Sequence, residues 1–194
     1  MAHAFWMNHR IWINDPDFAI VRHQDNCTAI HKNMPYTRLP LKSTSEVMPP
    51  QEFWMRGPEA SPEEMRLWLS VVHLNGGSVF LSDSIRTLKA EGRSDLGRLF
   101  PPLESSFVPL DLFEREWPGI WLSQDQQRPT LGLFNWEDEQ RTIQLPAPFT
   151  GGLSAREYWS RQPVRLPGTV DLAPRSGIIF SAYERCNNIG ITDR

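Results

Sequence analysis

SPEEMRLWLSVVHLNGGSVFLSD, residues 61–83, carries a helix, its stop and a strand in one continuous run. Ser61 stands at the N-cap position, Pro62 at the first helical position, and Glu64 three residues after the cap, which completes a capping box. Met65, Trp68, Leu69 and Val72 recur at helical spacing, and Leu67, Val71 and Leu74 widen that stripe. An apolar face this wide predicts a helix packed on a sheet. Gly76-Gly77 supplies the left-handed stop. Ser78-Val79-Phe80-Leu81 reads as a short buried strand that ends in the polar cluster Ser82-Asp83-Ser84.

Upstream, Arg10-Ile11-Trp12-Ile13-Asn14 is a second short apolar run, ending in Asn14-Asp15-Pro16-Asp17 as a buried strand would run into a functional loop. Strand, loop, helix and strand in this order predict two parallel neighbours joined by a right-handed crossover. Between them, residues from about 23 to 60 are rich in Pro and polar side chains, and a loop of that length is usually functional or poorly ordered. Downstream, the Pro101-Pro102 pair marks a domain junction, and six alternating runs follow: FVPLDLF, GIWLSQD, TLGLFNW, QRTIQLP, AREYWSR and SGIIFSAY. They predict an antiparallel sandwich, with Trp136-Glu137-Asp138-Glu139-Gln140 as a polar hairpin connection. The tail from Asn187 to Arg194 is expected to fray.

Composition narrows the function. The chain has 194 residues, 40% of them hydrophobic, which is enough to bury a core. A net charge of −3 with no run of Lys or Arg argues against a nucleic-acid partner. The sequence has no apolar stretch long enough for a bilayer and no signal core at its N-terminus, so the expectation is a cytoplasmic protein without membrane contact. Cys27 and Cys186 are expected as free thiols, and His3, His9, His23, His31 and His73 form no helical pair, so neither a metal nor a cofactor is expected. The 8 Trp are notable because an indole face suits the C–H edges of a sugar ring, although any one of them is first read as core.

Trp12-Ile13-Asn14-Asp15-Pro16-Asp17 resembles the WxNDPD motif of the α-galactosidase (melibiase) clan, glycoside hydrolase families 27 and 36, where the motif closes the seventh strand of a (β/α)8 barrel. The downstream order is similar: the helix, then SVFLSDS as an eighth strand, then a sandwich containing LFNW and EYWS. The resemblance spans nearly the whole chain. It implies an α/β partial (β/α)8 barrel, the last two strands and helices, over residues 1–102, followed by an all-β antiparallel sandwich over 103–194. It also implies a carbohydrate partner with a terminal α-linked, galactose-like ring. Asp17 would hydrogen-bond sugar hydroxyls, with Phe18 and Trp12 beside it as apolar walls and Asp83 as a secondary position on the same rim. Read from the residues alone, Asp17 caps its own loop and Asp83 caps the helix that follows it. Asn14 and Asp15 are expected to hold the strand-to-loop turn around Pro16.

A retaining glycosidase needs two carboxylates roughly 5–5.5 Å apart across the scissile bond. In the resembling enzymes these are aspartates of the fourth and sixth strands, for which the chain has no counterpart before Trp12. Asp15 and Asp17 lie on one side of an extended segment and cannot straddle a bond. A complete barrel needs about 250 residues. The expectation is therefore a C-terminal piece of a glycoside hydrolase, without catalytic residues of its own, that either oligomerises through its incomplete barrel or leaves part of it disordered. The alternative is a non-catalytic carbohydrate-binding or structural sandwich, in which Trp121, Trp136 or Trp159 would form an exposed sugar face.

Overall fold

The computed structural model describes residues 7–8, 10–11, 13–15, 18–21, 61–81, 83, 85–86, 88–103, 107–123, 125, 128–147, 149–150 and 152–183. The expected loop from 23 to 60, the tail from 187, both cysteines, and every histidine but His73 lie outside the described residues.

Helix α1 (Pro62–Asn75) forms as its local signals dictate. Ser61 Oγ accepts from Glu64 N–H at 3.1 Å, Glu64 Oε2 accepts from Ser61 N–H at 2.8 Å, and Gly76 closes the helix at φ 62°. Its wide apolar stripe is two faces. Met65, Leu69 and Val72 pack with Ala19, Val21, Leu88, Leu99 and Trp159. Leu67, Val71 and Leu74 pack with Phe107, Trp121, Phe134 and Ile179. The helix therefore lies between two β layers, where the sequence predicted packing on one.

The smaller layer is β1 (Phe18–Ala19) and β2 (Phe80–Leu81), which run parallel in the register Phe18↔Phe80 and Ala19↔Leu81. This corrects the expected strand at Arg10–Asn14. Arg10 and Ile11 sit in a turn, Ile11 and Ile13 are each 61% exposed, and the strand begins after the Asn-Asp-Pro-Asp cluster. The reason is polar: Asn14 N–H donates to Asn8 Oδ1 at 2.8 Å, and the Asn14 carbonyl accepts from Ser78 N–H at 3.0 Å. Side-chain and helix-end partners thus satisfy backbone that a sheet ladder would otherwise hold. Nor is the second run a fully buried strand, since Phe80 is 50% exposed. After it comes α2 (Ala90–Arg98), joined to α1 through Arg66, which lies 3.6 Å from Glu91 and 3.9 Å from Asp95.

All six expected strands of the second half form: β3 (Phe107–Pro109), β4 (Ile120–Ser123), β5 (Thr130–Asn135), β6 (Arg141–Gln144), β7 (Ser154–Glu157) and β10 (Ser176–Ala182). Two further strands, β8 (Pro163–Arg165) and β9 (Thr169–Leu172), were not anticipated. A six-stranded antiparallel sheet has the order β3-β4-β5-β10-β7-β8, and β6-β9 forms the second sheet. Pro109 and Pro163 lie on its two edge strands, where a missing N–H costs no ladder bond. Alternation then assigns the faces. Leu122, Leu131, Leu133 and Phe180 meet Ile143, Leu145 and Leu172 between the sheets, while Trp121, Phe134 and Ile179 turn toward α1. Gly132 is what lets α1 come close, because a Cβ there would lie 2.1 Å from Leu74 Cδ1.

Residues 136–140 do not connect a hairpin. Strand β5 pairs with β4 and β10, β6 pairs with β9, and the segment carries the chain from one sheet to the other. Buried Asn135 fastens this corner: its Nδ2 donates to the Glu139 carbonyl at 2.7 Å and to the Ala173 carbonyl at 2.8 Å.

Candidate functional site

The sequence placed its site at the ends of the two parallel strands, and the elements there are held by short-range chemistry. Gly76 ends α1, and Gly77 passes so close to the other segment that a Cβ would lie 1.9 Å from the Asn14 carbonyl oxygen. Asn8 Nδ2 donates to the Asn75 carbonyl at 2.5 Å, which gives one terminal carbonyl of α1 a partner. Asn14 is buried and Asp15 exposed, and among the described residues no strand precedes them for the expected strand-to-loop turn to end.

Phe18 opens β1 with 53% of its surface exposed, and its carbonyl accepts from Trp68 Nε1 at 2.8 Å. Asp83 follows β2 and is half-buried. Its Oδ2 accepts from Val21 N–H at 2.6 Å, so the carboxylate spans the gap between the two chain segments just past their paired residues. It does not cap the next helix: Lys89 is the N-cap of α2 and makes no side-chain cap bond. Asp17 and Trp12 lie outside the described residues. The two described members, Phe18 and Asp83, are brought to the same strand pair.

A cleft of about 510 Å³ lies elsewhere, between α1, α2 and the sandwich. Glu63, Arg66, Asp95, Arg98, Glu157 and Trp159 are among its lining residues; Trp159 is one of the positions named from the sequence, whereas Phe18 and Asp83 are not in this lining. Several of its polar groups are engaged in structure. Glu157 Oε1 accepts from Trp159 N–H at 2.9 Å and Oε2 from Ser160 N–H at 2.5 Å. Arg98 donates to the Trp159 carbonyl, and Asp95 lies 3.9 Å from both Arg66 and Arg98. This is an ion-pair seam between layers.

His73 is buried on α1 with its ring 4.5 Å from that of Tyr158, and burial lowers its pKa to about 4. Burial likewise raises Tyr158 to about 12, and its hydroxyl donates to the Arg98 carbonyl. Both groups are neutral at pH 7 and pack the seam. Among the described residues no group of three His, Cys, Asp or Glu is positioned to hold a metal, and no helix is long and apolar enough to cross a membrane.

Of the three tryptophans named as an exposed sugar face, Trp121 and Trp159 are buried and cannot serve. Their rings fill the two interfaces of α1. Trp117, which sequence reading passed over, is 63% exposed. Its signal was local: Glu114-Arg115-Glu116-Trp117-Pro118-Gly119 puts the indole in a charged turn with no apolar periodicity to bury it.

No family model matches this sequence, and no curated protein matches it. Solved structures do match its fold. A GH27 β-L-arabinopyranosidase from Geobacillus stearothermophilus aligns with 99% of this chain and 41% of its own, at a TM-score of 0.63 and 12% identity. A D197A form of that enzyme in complex with arabinose aligns with 93% of this chain and 39% of its own, at a TM-score of 0.62 and 12% identity. A protein from Bacteroides fragilis NCTC 9343, assigned as an alpha-galactosidase/melibiase, aligns with 88% of this chain and 34% of its own, at a TM-score of 0.58 and 12% identity. The chain thus spans roughly a third to two fifths of the length of these structures. In fold, this chain is similar to part of the α-galactosidase-type glycoside hydrolases.

Proposed function

We propose that this chain forms the last part of an α-galactosidase-like glycoside hydrolase. Residues 1–102 are the final two β/α units of a (β/α)8 barrel, and residues 103–194 are the sandwich behind it. The observation that carries this reading is the parallel pairing of β1 with β2 across α1, directly after Asn14-Asp15-Pro16-Asp17. In a barrel of this kind, binding groups gather where the strands end. Asp17 is then the hydrogen-bonding acid for the sugar, Phe18 and Trp12 are apolar walls, and Asp83 steadies the rim through Val21 N–H. The ring bound is a galactose-like or arabinose-like pyranose, the carbohydrate class named in the matched structures.

The nucleophile and the acid/base belong, on this reading, to β/α units outside residues 1–194, so the chain alone binds sugar weakly and does not cleave it. Ile11, Ile13, Phe18 and Phe80, each at least 50% exposed, form the surface those units would cover, and a second copy of the chain is the substitute cover in their absence.

The test combines binding and turnover. Galactose and arabinose are titrated against the chain and its Asp17→Asn variant by NMR, and p-nitrophenol release from an α-galactoside is followed in parallel. Weaker binding in the variant without turnover in either form is expected. Turnover by the chain that Asp17→Asn abolishes would overturn the assignment of catalysis elsewhere, and equal affinity of the two forms would remove Asp17 from the site. Sedimentation equilibrium reports whether the exposed apolar surface pairs with a second copy.

A further inference from the structure

The connection between β3 and β4 is built to hold aromatic side chains out in solvent. Its base is rigid. Asp111 is buried, and its carboxylate accepts from Gly119 N–H and Ile120 N–H, each at 3.0 Å. Leu110 N–H donates to the Ile120 carbonyl at 2.8 Å, closing the same base. Above it, Phe113 is 98% exposed and Trp117 63% exposed.

Trp117 is not a stray side chain. Its ring centroid lies 6.0 Å from that of Trp136, which in turn lies 5.8 Å from buried Phe134. Trp136 is fixed because its Nε1 donates to the Pro118 carbonyl at 3.0 Å. A run of tilted aromatic contacts therefore leads from the core outward and ends on the exposed Trp117 indole. Beside it, Arg115 Nη1 lies 3.6 Å from Glu137 Oε1, which sets a donor and an acceptor together on an exposed rim.

We infer that this face is a binding site for a neutral saccharide, separate from the strand-end site and independent of its assignment. A pyranose ring has one apolar face for the indole and hydroxyls that both donate and accept, as Arg115 and Glu137 require. Glu114 and Glu116 flank Arg115 in sequence and Glu137 pairs with it, so the exposed charge here carries no surplus of cations to hold a phosphate backbone. Size argues against a second copy of the chain. Two exposed aromatic side chains offer on the order of 300 Å², whereas a stable protein interface takes about 800 Å² from each partner. A site held in shape by Asp111 and Trp136 also loses little conformational entropy when it binds.

The test uses the full chain carrying Asp17→Ala, so that the strand-end site contributes nothing. Melibiose and maltotriose are titrated by saturation-transfer NMR, with Trp fluorescence as the second readout. Saturable binding is expected, with a dissociation constant in the millimolar range that rises about tenfold or more in Trp117→Ala. The loss should be smaller in Trp117→Phe, which keeps a flat ring. Unchanged thermal unfolding of Trp117→Ala separates a lost contact from a lost fold. Equal affinity before and after Trp117→Ala overturns the inference. So does failure of both sugars to bind at about 50 mM, and so does a concentration-dependent dimer that Trp117→Ala dissolves.

Discussion

Gly77 is where the end of α1 and the turn before the candidate site come nearest. An Ala Cβ there would lie 1.9 Å from the Asn14 carbonyl oxygen and 2.8 Å from its carbon, both backbone atoms that cannot rotate aside. The same oxygen accepts from Ser78 N–H at 3.0 Å, so any movement that relieves the clash also breaks that bond. Overpacking of this kind costs about 1–3 kcal/mol, and the hydrogen bond adds about 1 kcal/mol. Gly77→Ala should therefore lose about 3 kcal/mol, which for a chain of this length lowers Tm by about 6–12 °C. Gly97→Ala is the matched control. A Cβ there meets nothing within 4 Å, and Ala inside α2 should gain about 0.5–1 kcal/mol. Urea unfolding followed by circular dichroism gives both values on one scale. A Gly77→Ala variant within about 0.5 kcal/mol of the parent would refute the close approach, and with it the positioning of the site by the helix end.

Stability should fall in acid because of His73. The folded ring takes up a proton only near pH 4, against 6.5 for the ordinary group. Between those values the unfolded chain binds more protons, so stability declines as the pH drops through that window, by about 3 kcal/mol in all. His73→Phe keeps a ring against Tyr158 and should flatten this slope in urea midpoints measured from pH 7 to pH 4.5; an unchanged slope would assign the effect to other groups. Asp111→Ala leaves the Gly119 and Ile120 N–H groups without their buried acceptor and should cost about 2–3 kcal/mol. It should also broaden the Trp117 indole signal in NMR, whereas a sharp, unshifted signal would show that the turn holds without its anchor.

Helix α1 was legible in the sequence because its determinants are local: Ser61, Pro62, Glu64 and Gly76 act within one turn of each end. Six strands were legible for a similar reason, since alternation along GIWLS or SGIIFSA is visible without knowing the partner. Strands β8 and β9 were hidden because Pro163, Pro167 and Gly168 read as turn residues, and each strand is too short to show its own period. The apolar run at 10–14 misled because an Asn8 side chain and the end of α1 supply its hydrogen bonds, and no periodicity announces such partners. At the candidate site, Asp83 stands just past the end of β2, where the sequence placed it, but its contact with Val21, 62 residues away, was beyond the reach of local reasoning. Trp121 and Trp159 are core, the first reading of any tryptophan here, and the alternative of an exposed sugar face could be decided only by the position of α1, which local pattern does not give.

The two-faced burial of α1 also changes what the EYWS run contributes. Trp159 belongs to the sandwich half of the sequence, yet its ring packs with Met65, Leu69 and Val72, and its Nε1 donates to Ser70 Oγ at 2.8 Å. Glu157 holds the turn that aims it, through the N–H groups of Trp159 and Ser160, and Arg98 and Tyr158 bind across the same seam. An aromatic motif of this sort is easily read as a sugar contact. Here the ring is 5% exposed with its one N–H satisfied by Ser70, and it contributes to the wall of the cleft between α1, α2 and the sandwich rather than to an open surface. The seam ties β10 and the turn after β7 to α1, which Gly76 closes, and the next residue, Gly77, abuts Asn14 beside the candidate loop. Under the proposed function, the sandwich would serve the strand-end site mechanically, by fixing α1, rather than by touching what binds there.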